Sequence, residues 1–273
     1  MEREIITSRQ NPLVKFVCGL TEKKLRNKEG LFRFDGIKLL SEALAANLDI
    51  KYIVYRAPAS KRVEELIFQA KSAGKIGDGG AVAVSDSVFE KISEERSPEG
   101  VITVAFMPEI HGRYGEVTLG REEKLLIVES LRDPGNLGTV IRSCYALGID
   151  RLILTDDCAD IYNGKTVRAA MGAIFRQQTL TVSATELSGF IKELREGGRS
   201  VYATALSESS RNIGDVGLRS GDCFVIGNEG HGLTSETVSA CTAPVIIPMR
   251  EDAESLNAAA AAAICIWETV RAE

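Results

Sequence analysis

The chain has 273 residues, of which 44% are hydrophobic and 26% charged, a composition typical of a soluble globular protein with room for two ordinary domains. Its net charge of −5 argues against a protein that binds nucleic acid by bulk electrostatic attraction. No apolar run reaches the ~20 residues of a membrane-spanning helix, and the start lacks the apolar segment of a secretory signal, so we expect a cytoplasmic protein with no membrane partner.

The first part of the chain alternates helical and strand patterns. Helices are predicted at 11–26, 37–46, 62–72 and around residue 88, and strands at 31–34, 50–55, 81–84 and 101–106. This alternation predicts a small α/β domain over residues 1–107. Residues 108–120 lose the periodicity and contain several glycines, which indicates a linker.

Residues 121–273 predict a second α/β domain. Strands are predicted at 125–131, 151–156, 178–182, 200–206, 222–227 and 243–248, and helices near 137–148, 165–172, 185–196, 234–240 and 256–271. Such regular alternation predicts an open, mostly parallel sheet with helices on both faces.

The first strand-to-helix junction of this domain carries two conspicuous polar residues. Asn136 and Arg142 follow a buried strand and the turn 133–135, so they lie near the carboxyl end of a strand, the usual ligand-binding edge of an α/β sheet. A simpler interpretation is also open, in which Asn136 caps the helix and Arg142 is a solvated surface charge.

Two later junctions add three more polar side chains. Glu229 lies in a Gly-rich loop after the strand at 222–227, and Thr234 at the end of that loop can cap a helix. Ser255 and Asn257 lie between a polar loop and the last helix, where Ser255 can also act as the helix cap. Together with Asn136 and Arg142, these side chains could bind a hydroxylated substrate.

The three junctions together resemble the motifs of the SpoU, or TrmH-like, family of the SPOUT superfamily, whose members are S-adenosylmethionine-dependent RNA ribose 2′-O-methyltransferases. The matching segments occur in the family order, and they are Asn136-x-Gly138 with Arg142, then Gly227-Asn228-Glu229-Gly230, then Ile247-Pro248-Met249 followed by Ser255-Leu256-Asn257. Each motif alone is weak, whereas three at matching spacing are specific.

The resemblance implies a fold and an assembly that periodicity does not show. SpoU domains contain a deep trefoil knot, and many carry an amino-terminal α/β substrate-binding domain similar to ribosomal RNA-binding proteins. Membership also implies a homodimer through the carboxyl-terminal domain. The small side chains of the alanine run 258–263 in the last helix would permit close helix approach, and Trp267 on the same helix is either an interface anchor or a core residue. The alternative is that the alanine face packs only against its own sheet.

The resemblance also assigns roles to individual residues. S-adenosylmethionine would be held by main-chain groups of Gly227, Ile247 and Leu256, with Met249 close by. Because a guanidinium is a poor proton acceptor, we expect Arg142 to stabilise the developing alkoxide, and the general base stays open.

The other matched polar residues have supporting roles in this scheme. Asn136 would position Arg142 or the ribose, and Glu229 would orient Arg142 or Asn136. Ser255 and Asn257 would shape the pocket of the target nucleotide.

The basic residues of the chain concentrate near its start. Residues 1–40 contain nine Lys or Arg against five Asp or Glu. We take this cluster as the candidate RNA-contacting surface, the alternative being a solvated helix face. Its members are Lys23, Lys24, Arg26, Lys28 and Arg33.

The chain departs from the family pattern in the loop 250–254, where Arg-Glu-Asp-Ala-Glu replaces the usual small, Gly-containing loop. Acidic groups there would repel an RNA phosphate, so a non-catalytic RNA-binding or ribosome-assembly protein stays as the alternative to an enzyme. A nicotinamide dehydrogenase is a distant possibility because no G-x-G-x-x-G motif is present. The sequence does not say whether the target is rRNA or tRNA, nor which nucleotide is modified.

The cysteines and histidines do not indicate a metal site. The six cysteines form no C-x-x-C pair and have no metal-ligand spacing with His111 or His231. Most have apolar neighbours in the sequence, so we expect small core side chains in a reducing compartment. His231 is interpreted as a loop residue.

Overall fold

In the computed structural model the chain is shared between two units. The first unit runs to Pro108 and also contains Tyr162–Phe175, and the second contains Glu109–Ile161 and the chain from Arg176 onward. The structure describes residues 5–207, 209–250, 252 and 255–271. Of the charged loop 250–254, Glu251, Ala253 and Glu254 therefore lie outside the described residues.

The first unit is built on a mixed sheet with the strand order β1-β4-β3-β5-β2, in which β5 is antiparallel to both of its neighbours. Its described strands are β1 Ile5–Ile6, β2 Leu31–Asp35, β3 Ile50–Arg56, β4 Ala81–Val84 and β5 Val101–Phe106. Its described helices are α1 Pro12–Gly19, α2 Lys23–Glu29, α3 Ile37–Ala45, α4 Lys61–Ser72, α5 Asp86–Ile92 and α7 Gly164–Ala170.

The helix predicted at 11–26 is two helices. Asn11 caps α1 by accepting a hydrogen bond from the amide of Leu13 at 2.8 Å, and the chain turns after Gly19. Arg26 of α2 then donates to the carbonyls of Leu20 and Thr21 at 2.9 and 2.5 Å. A helix end leaves carbonyls without intrahelical partners, so the guanidinium satisfies groups that the break exposes.

Two residues of the expected RNA-contacting cluster are buried, which contradicts their assignment to a contact surface. Arg26 is 4% exposed, and Arg33 is 5% exposed and ion-paired with Asp35 at 2.9 Å. Asp35 also accepts hydrogen bonds from the Ser93 hydroxyl and the Glu94 amide. These arginines hold the unit together, because a buried charge needs a partner. The exposed lysines of the cluster are Lys23, Lys24 and Lys28.

The second unit is built on a parallel sheet with the strand order β11-β13-β10-β12-β7-β8-β9-β6. Its described strands are β6 His111–Arg113, β7 Leu125–Val128, β8 Arg151–Thr155, β9 Gln178–Val182, β10 Val201–Thr204, β11 Arg211–Asn212, β12 Cys223–Ile226 and β13 Ala243–Ile246. Its described helices are α6 Pro134–Leu147, α8 Leu187–Glu196, α9 Ser235–Ala240 and α10 Ala258–Arg271.

The boundaries of the two units differ from the expected domain boundaries in two places. Within the expected linker 108–120, strand β6 pairs in parallel with β9 at the edge of the second sheet, and the Tyr114 ring packs edge-on against Phe190 at 5.3 Å. Residues 162–175, expected in the second domain, belong to the first unit. There the Tyr162 ring lies 4.6 Å from Phe32.

The sheet of the second unit is covered on both faces, as its apolar strands predict. One set of alternate residues, such as Leu125 and Ile127, packs in a core with α8. The other set faces the opposite side, where α10 packs against α6 and β12. Such two-sided burial explains why β7 is apolar at every position.

The cysteines mostly occupy the core. Cys144, Cys223, Cys241 and Cys265 are buried, and all six cysteines carry free thiols. Burial raises the pKa of the Cys223 and Cys241 thiols to about 12, so both stay protonated and unreactive at neutral pH. The described residues contain no cluster of His, Cys, Asp and Glu suited to a metal ion. Each described helix is too short or too polar to span a bilayer.

Candidate active site

The candidate site lies at the carboxyl ends of four neighbouring strands. Strands β13, β10, β12 and β7 are adjacent in the sheet and parallel. The segments that follow β7, β12 and β13 carry the matched motifs, beginning at Glu129, Gly227 and Ile247. Parallel pairing therefore brings these three motifs to one edge of the sheet.

Three of the five expected catalytic side chains form a continuous hydrogen-bonded chain. The Asn136 Nδ2 donates to Glu229 Oε1 at 2.9 Å, and the Asn257 Nδ2 donates to Asn136 Oδ1 at 3.0 Å. A carboxylate only accepts hydrogen bonds, so Glu229 orients the Asn136 amide group, which in turn orients that of Asn257. Glu229 therefore orients Asn136, one of the two alternatives the sequence left open.

The helix caps at the site differ from the simple interpretation of the sequence. Asp133, and not Asn136, caps α6 by accepting from the Asn136 amide at 2.7 Å. Asn257, and not Ser255, caps α10 by accepting from the amides of Ala259 and Ala260 at 2.9 and 3.3 Å. The Asn136 side chain is therefore available to link the two later motifs.

Arg142 does not take part in the hydrogen bonds that link Asn136, Glu229 and Asn257. It lies on α6 six residues after Asn136, which corresponds to about 9 Å along the helix axis. Its side chain is exposed and makes no hydrogen bond or ion pair with any described residue. The structure thus places its positive charge on the solvent-facing side of α6, with no carboxylate partner among the residues that the structure describes.

A cavity of about 540 Å³ opens beside the hydrogen-bonded side chains of the candidate site. Its lining includes the four expected cofactor contacts, which are Gly227, Ile247, Met249 and Leu256, together with Glu229 and Ser255. Among the described residues, no hydrogen bond engages the main-chain groups of Gly227, Ile247 or Leu256. Open peptide groups beside exposed apolar side chains suit an amphipathic ligand such as S-adenosylmethionine.

Gly227 is needed for the close return of its own loop. A side chain there would place its Cβ 2.3 Å from the carbonyl carbon of Gly232. Asn228 and Gly232 pair through two backbone hydrogen bonds of 3.0 Å, which close the loop 227–232. Any larger residue at 227 would force the backbone of this loop to shift.

The sequence interpretation missed the residues that hold this loop in place. The buried carboxylate of Glu129 accepts three hydrogen bonds, from the amide and hydroxyl of Thr234 at 3.1 and 2.8 Å and from the Thr237 hydroxyl at 3.1 Å. Asn228 Nδ2 donates to the Ser130 carbonyl at 2.8 Å. We call Glu129, Ser130, Asn228 and Thr234 the loop clasp. The signal in the sequence was an acidic residue directly after an apolar strand.

Ser130 of the loop clasp adopts an unusual backbone conformation. Its φ of 56° lies in the left-handed region, which costs a non-glycine residue about 1–2 kcal/mol. Three contacts stabilise it: its amide donates to the Thr155 hydroxyl, its hydroxyl to Asp157, and its carbonyl accepts from Asn228.

Asp157 anchors this side of the site. Burial favours a raised pKa for its carboxyl group, but hydrogen bonds from Thr155 and Ser130 and the charge of Arg132 outweigh burial and lower the pKa. The Arg132 guanidinium binds the same carboxylate at 2.7 Å. Asp157 therefore stays ionised and keeps Ser130 in place at neutral pH.

Three further polar side chains that the structure describes near the rim, Arg250, Asp252 and His231, are exposed. Arg250 and Asp252 form a 3.5 Å ion pair, and Arg250 also lines the cavity. His231 is exposed in the loop after Glu229, as expected for a loop residue.

Comparison with known proteins identifies the chain's relatives. Residues 123–267 match the model of the SpoU rRNA methylase family, and residues 11–103 match that of the MRM3-like substrate-binding domain. The 23S rRNA (guanosine(2553)-2′-O)-methyltransferase RlmP of Bacillus subtilis is 30% identical over 96% of this chain and 97% of its own length.

Two solved structures also resemble the chain along almost its whole length. An rRNA methyltransferase from Sinorhizobium meliloti with bound AdoMet has a TM-score of 0.82 and 29% identity, covering 99% of this chain and 98% of its own. The SpoU methyltransferase AviRb from Streptomyces viridochromogenes, also in complex with AdoMet, has a TM-score of 0.82 and 25% identity, covering 96% and 98%. The family match, the relatives and the arrangement of the three motifs agree, and the chain belongs to the SpoU rRNA methylase family.

Proposed function

We propose that this S-adenosylmethionine-dependent RNA 2′-O-ribose methyltransferase acts on 23S rRNA in the cytoplasm. The hydrogen-bonded side chains of Asn136, Glu229 and Asn257 beside the cavity support the methyl-transfer site, and the relatives named for 23S rRNA support the substrate. RlmP is named for a guanosine of 23S rRNA, whereas a Streptomyces viridochromogenes relative of 27% identity is named for a uridine. Similar relatives thus differ in the target nucleotide.

The experiment that tests this proposal is a map of ribose methylation. Comparing rRNA and tRNA from a strain lacking the gene with the parent strain should show that one 2′-O-methylation disappears from 23S rRNA. The purified protein should restore that methylation in vitro with S-adenosylmethionine. A methylation that disappears from tRNA alone would contradict the proposed substrate.

The cofactor contacts support the proposed reaction. The open main-chain groups of Gly227, Ile247 and Leu256 would hold the cofactor, with Met249 against its apolar part. When bound, S-adenosylmethionine supplies an activated methyl group on its sulfonium. The protein's task is then to align the ribose hydroxyl and to assist loss of its proton.

The polar side chains divide this task. Asn136 would hold the ribose in the geometry set by Glu229, and Ser255 and Asn257 would shape the pocket for the target nucleotide. Arg142 would neutralise the reactive phosphate and the developing charge on the 2′-oxygen, because its guanidinium is paired with no carboxylate in the described part of the chain. The residue that takes the proton is left open.

The knot is part of the proposal. As the family resemblance implies, the carboxyl-terminal part of the chain would thread through a loop to form it.

A homodimer through α10 and α6 is also proposed. Ala258, Ala259 and Ala262 are buried, so this side of the alanine run packs within its own unit. A second face of α10 points outward, with Ala260 exposed and Trp267 55% exposed. An exposed Trp two helical turns from an exposed Ala, on the same face of α10, suits a close helix contact with a second copy.

Arg142→Ala should lower kcat by about 100-fold or more, because an electrostatic contact to the developing oxyanion is typically worth that much. Affinity for S-adenosylmethionine should stay within a few fold of wild type. Arg142→Lys should also fail, since an ammonium lacks the planar guanidinium fork. Single-turnover methylation with calorimetry of cofactor binding measures both effects. Equal loss of cofactor binding would contradict the role at the ribose.

Replacing Lys23, Lys24 and Lys28 together with Ala should weaken RNA binding and flatten its salt dependence. Removing one lysine–phosphate interaction should reduce the slope of log affinity against log salt by about 0.7 to 0.9. The matched control replaces three other exposed lysines of the same unit, Lys61, Lys71 and Lys91. If the slope of log affinity against log salt is equal in the two triple variants, the α2 lysines form only a solvated helix face.

Trp267→Ala should convert a dimer into a monomer at micromolar concentration, since an aromatic anchor at an interface is worth about 2 kcal/mol or more. The measurement is light scattering on the full chain. Phe68→Ala is the control because Phe68, on α4, is 73% exposed and lies outside the proposed interface. A monomeric wild-type protein would contradict the proposed dimer.

Glu129→Gln should raise the Kd for S-adenosylmethionine by about tenfold, equivalent to ~1.4 kcal/mol, because the loop clasp sets the position of the loop that lines the cavity. Asp222→Asn is the matched control. Asp222 is also 4% exposed and accepts from the amides of Ser200 and Arg219, but it lies at the amino end of β12, away from the cavity.

Both variants should lose thermal stability, and only Glu129→Gln should lose cofactor affinity. Calorimetric titration below the unfolding transition separates the two properties. The same affinity in both variants would mean that Glu129 is only structural.

A further inference from the structure

We propose that a cavity of the first unit, between α2 and α7, binds a backbone phosphate of the RNA substrate. The cavity has a volume of about 270 Å³ and a strongly charged lining. Four of its side chains are cationic and two are anionic, namely Arg26, Arg33, Lys165 and Arg168 against Asp35 and Glu94. The inference rests on the proposed RNA methyltransferase function and adds a contact to it.

The cations of the cavity differ in whether a carboxylate already pairs with them. Asp35 is committed to Arg33, with which it forms a buried pair. Glu94 lies 4.0 Å from Arg168, at the limit of an ion pair. Lys165 is exposed and pairs with no carboxylate among the described residues. The lining therefore presents one accessible cation without a carboxylate partner among the described residues, the ammonium group of Lys165.

The segment 162–175, which supplies Lys165 and Arg168, is held firmly in the first unit. The Tyr162 ring lies 4.6 Å from Phe32, and the Phe175 ring lies 5.1 Å from Phe34. Both ends of the segment thus pack on β2. These ring contacts hold α7 in position, so the side chain of Lys165 is not needed for packing and stays available for a ligand.

The start of α7 also sets the position of Lys165. Asn163 caps the helix by accepting a hydrogen bond from the Lys165 amide at 2.9 Å. Asn163 itself lines the cavity, as does Thr21 on the other side. Polar groups on both walls, together with cations, suit an anion with several acceptor oxygens.

The family-model span that contains residues 162–175 also supports the proposed phosphate site. Residues 162–175 lie within the span that matches the SpoU methylase family, 123–267, yet they belong to the unit that contains the matched substrate-binding domain, 11–103. One segment of the methylase span therefore takes part in the unit that is expected to hold RNA. Substrate binding would then use residues from both matched spans.

The test compares Lys165→Ala with Lys71→Ala, an exposed lysine on α4 that is absent from the cavity lining. Filter binding of an in vitro 23S rRNA transcript is measured across a range of salt. Lys165→Ala should weaken binding several-fold and reduce the slope of log affinity against log salt by about 0.7 to 0.9, whereas Lys71→Ala should match wild type. Equal slopes for the two variants would overturn the proposal.

A second measurement separates this proposal from the proposed function. Cofactor affinity and methyl transfer at saturating RNA should be unchanged in Lys165→Ala, because the cavity is not in the methyl-transfer site. Absence of methyl transfer in wild type would contradict the proposed function while leaving the comparison of slopes intact. A loss of cofactor affinity in Lys165→Ala would overturn the phosphate-binding role.

Discussion

The side-chain amide of Asn136 is the point at which the three motifs of the active site meet. It donates to a carboxylate 93 residues later and accepts from an amide 121 residues later in the chain. These contacts form only when the parallel order β13-β10-β12-β7 is complete. A single polar residue thus makes the geometry of the site depend on the correct pairing of the whole sheet.

Because the site depends on contacts between distant segments, the polar groups of the loop clasp are needed to fix the position of the loop that carries Glu229. Glu129 and Ser130 follow β7, and they fix the loop of Glu229 through Thr234 and Asn228. Without these contacts, the loop that lines the cavity would be free to move, and the Asn136–Glu229 distance would vary. Pre-organised groups do not have to be reordered during the reaction, which is the usual source of their effect on catalysis.

The sequence predicted the order of strands and helices because apolar periodicity reports burial directly. Strands 81–84 and 101–106 and the Thr234 cap are confirmed, and the second domain has the expected parallel sheet. Helix caps were harder to assign, because Asp133 and Asn136, or Ser255 and Asn257, are all acceptable caps. Only the folded contacts decide between them.

The burial of two arginines in the first unit could not be predicted from the sequence. Arg26 and Arg33 look like their exposed lysine neighbours in the sequence, but they bind carbonyls and a carboxylate in the interior. Arginine is suited to such sites because its planar donors satisfy several acceptors at once, whereas lysine is a compact, strongly hydrated charge. The split of one charged cluster into buried arginines and exposed lysines follows from this difference.

The same split explains how a chain with a net charge of −5 can act on RNA. Screening limits electrostatic attraction to about 10 Å at moderate salt, so the local arrangement of charges matters more than their sum. Exposed Lys23, Lys24 and Lys165 lie in one unit, and Arg142 presents its charge in the other. Acidic residues elsewhere lower the net charge without cancelling these local charges, and their repulsion of phosphates would disfavour binding of RNA in other orientations.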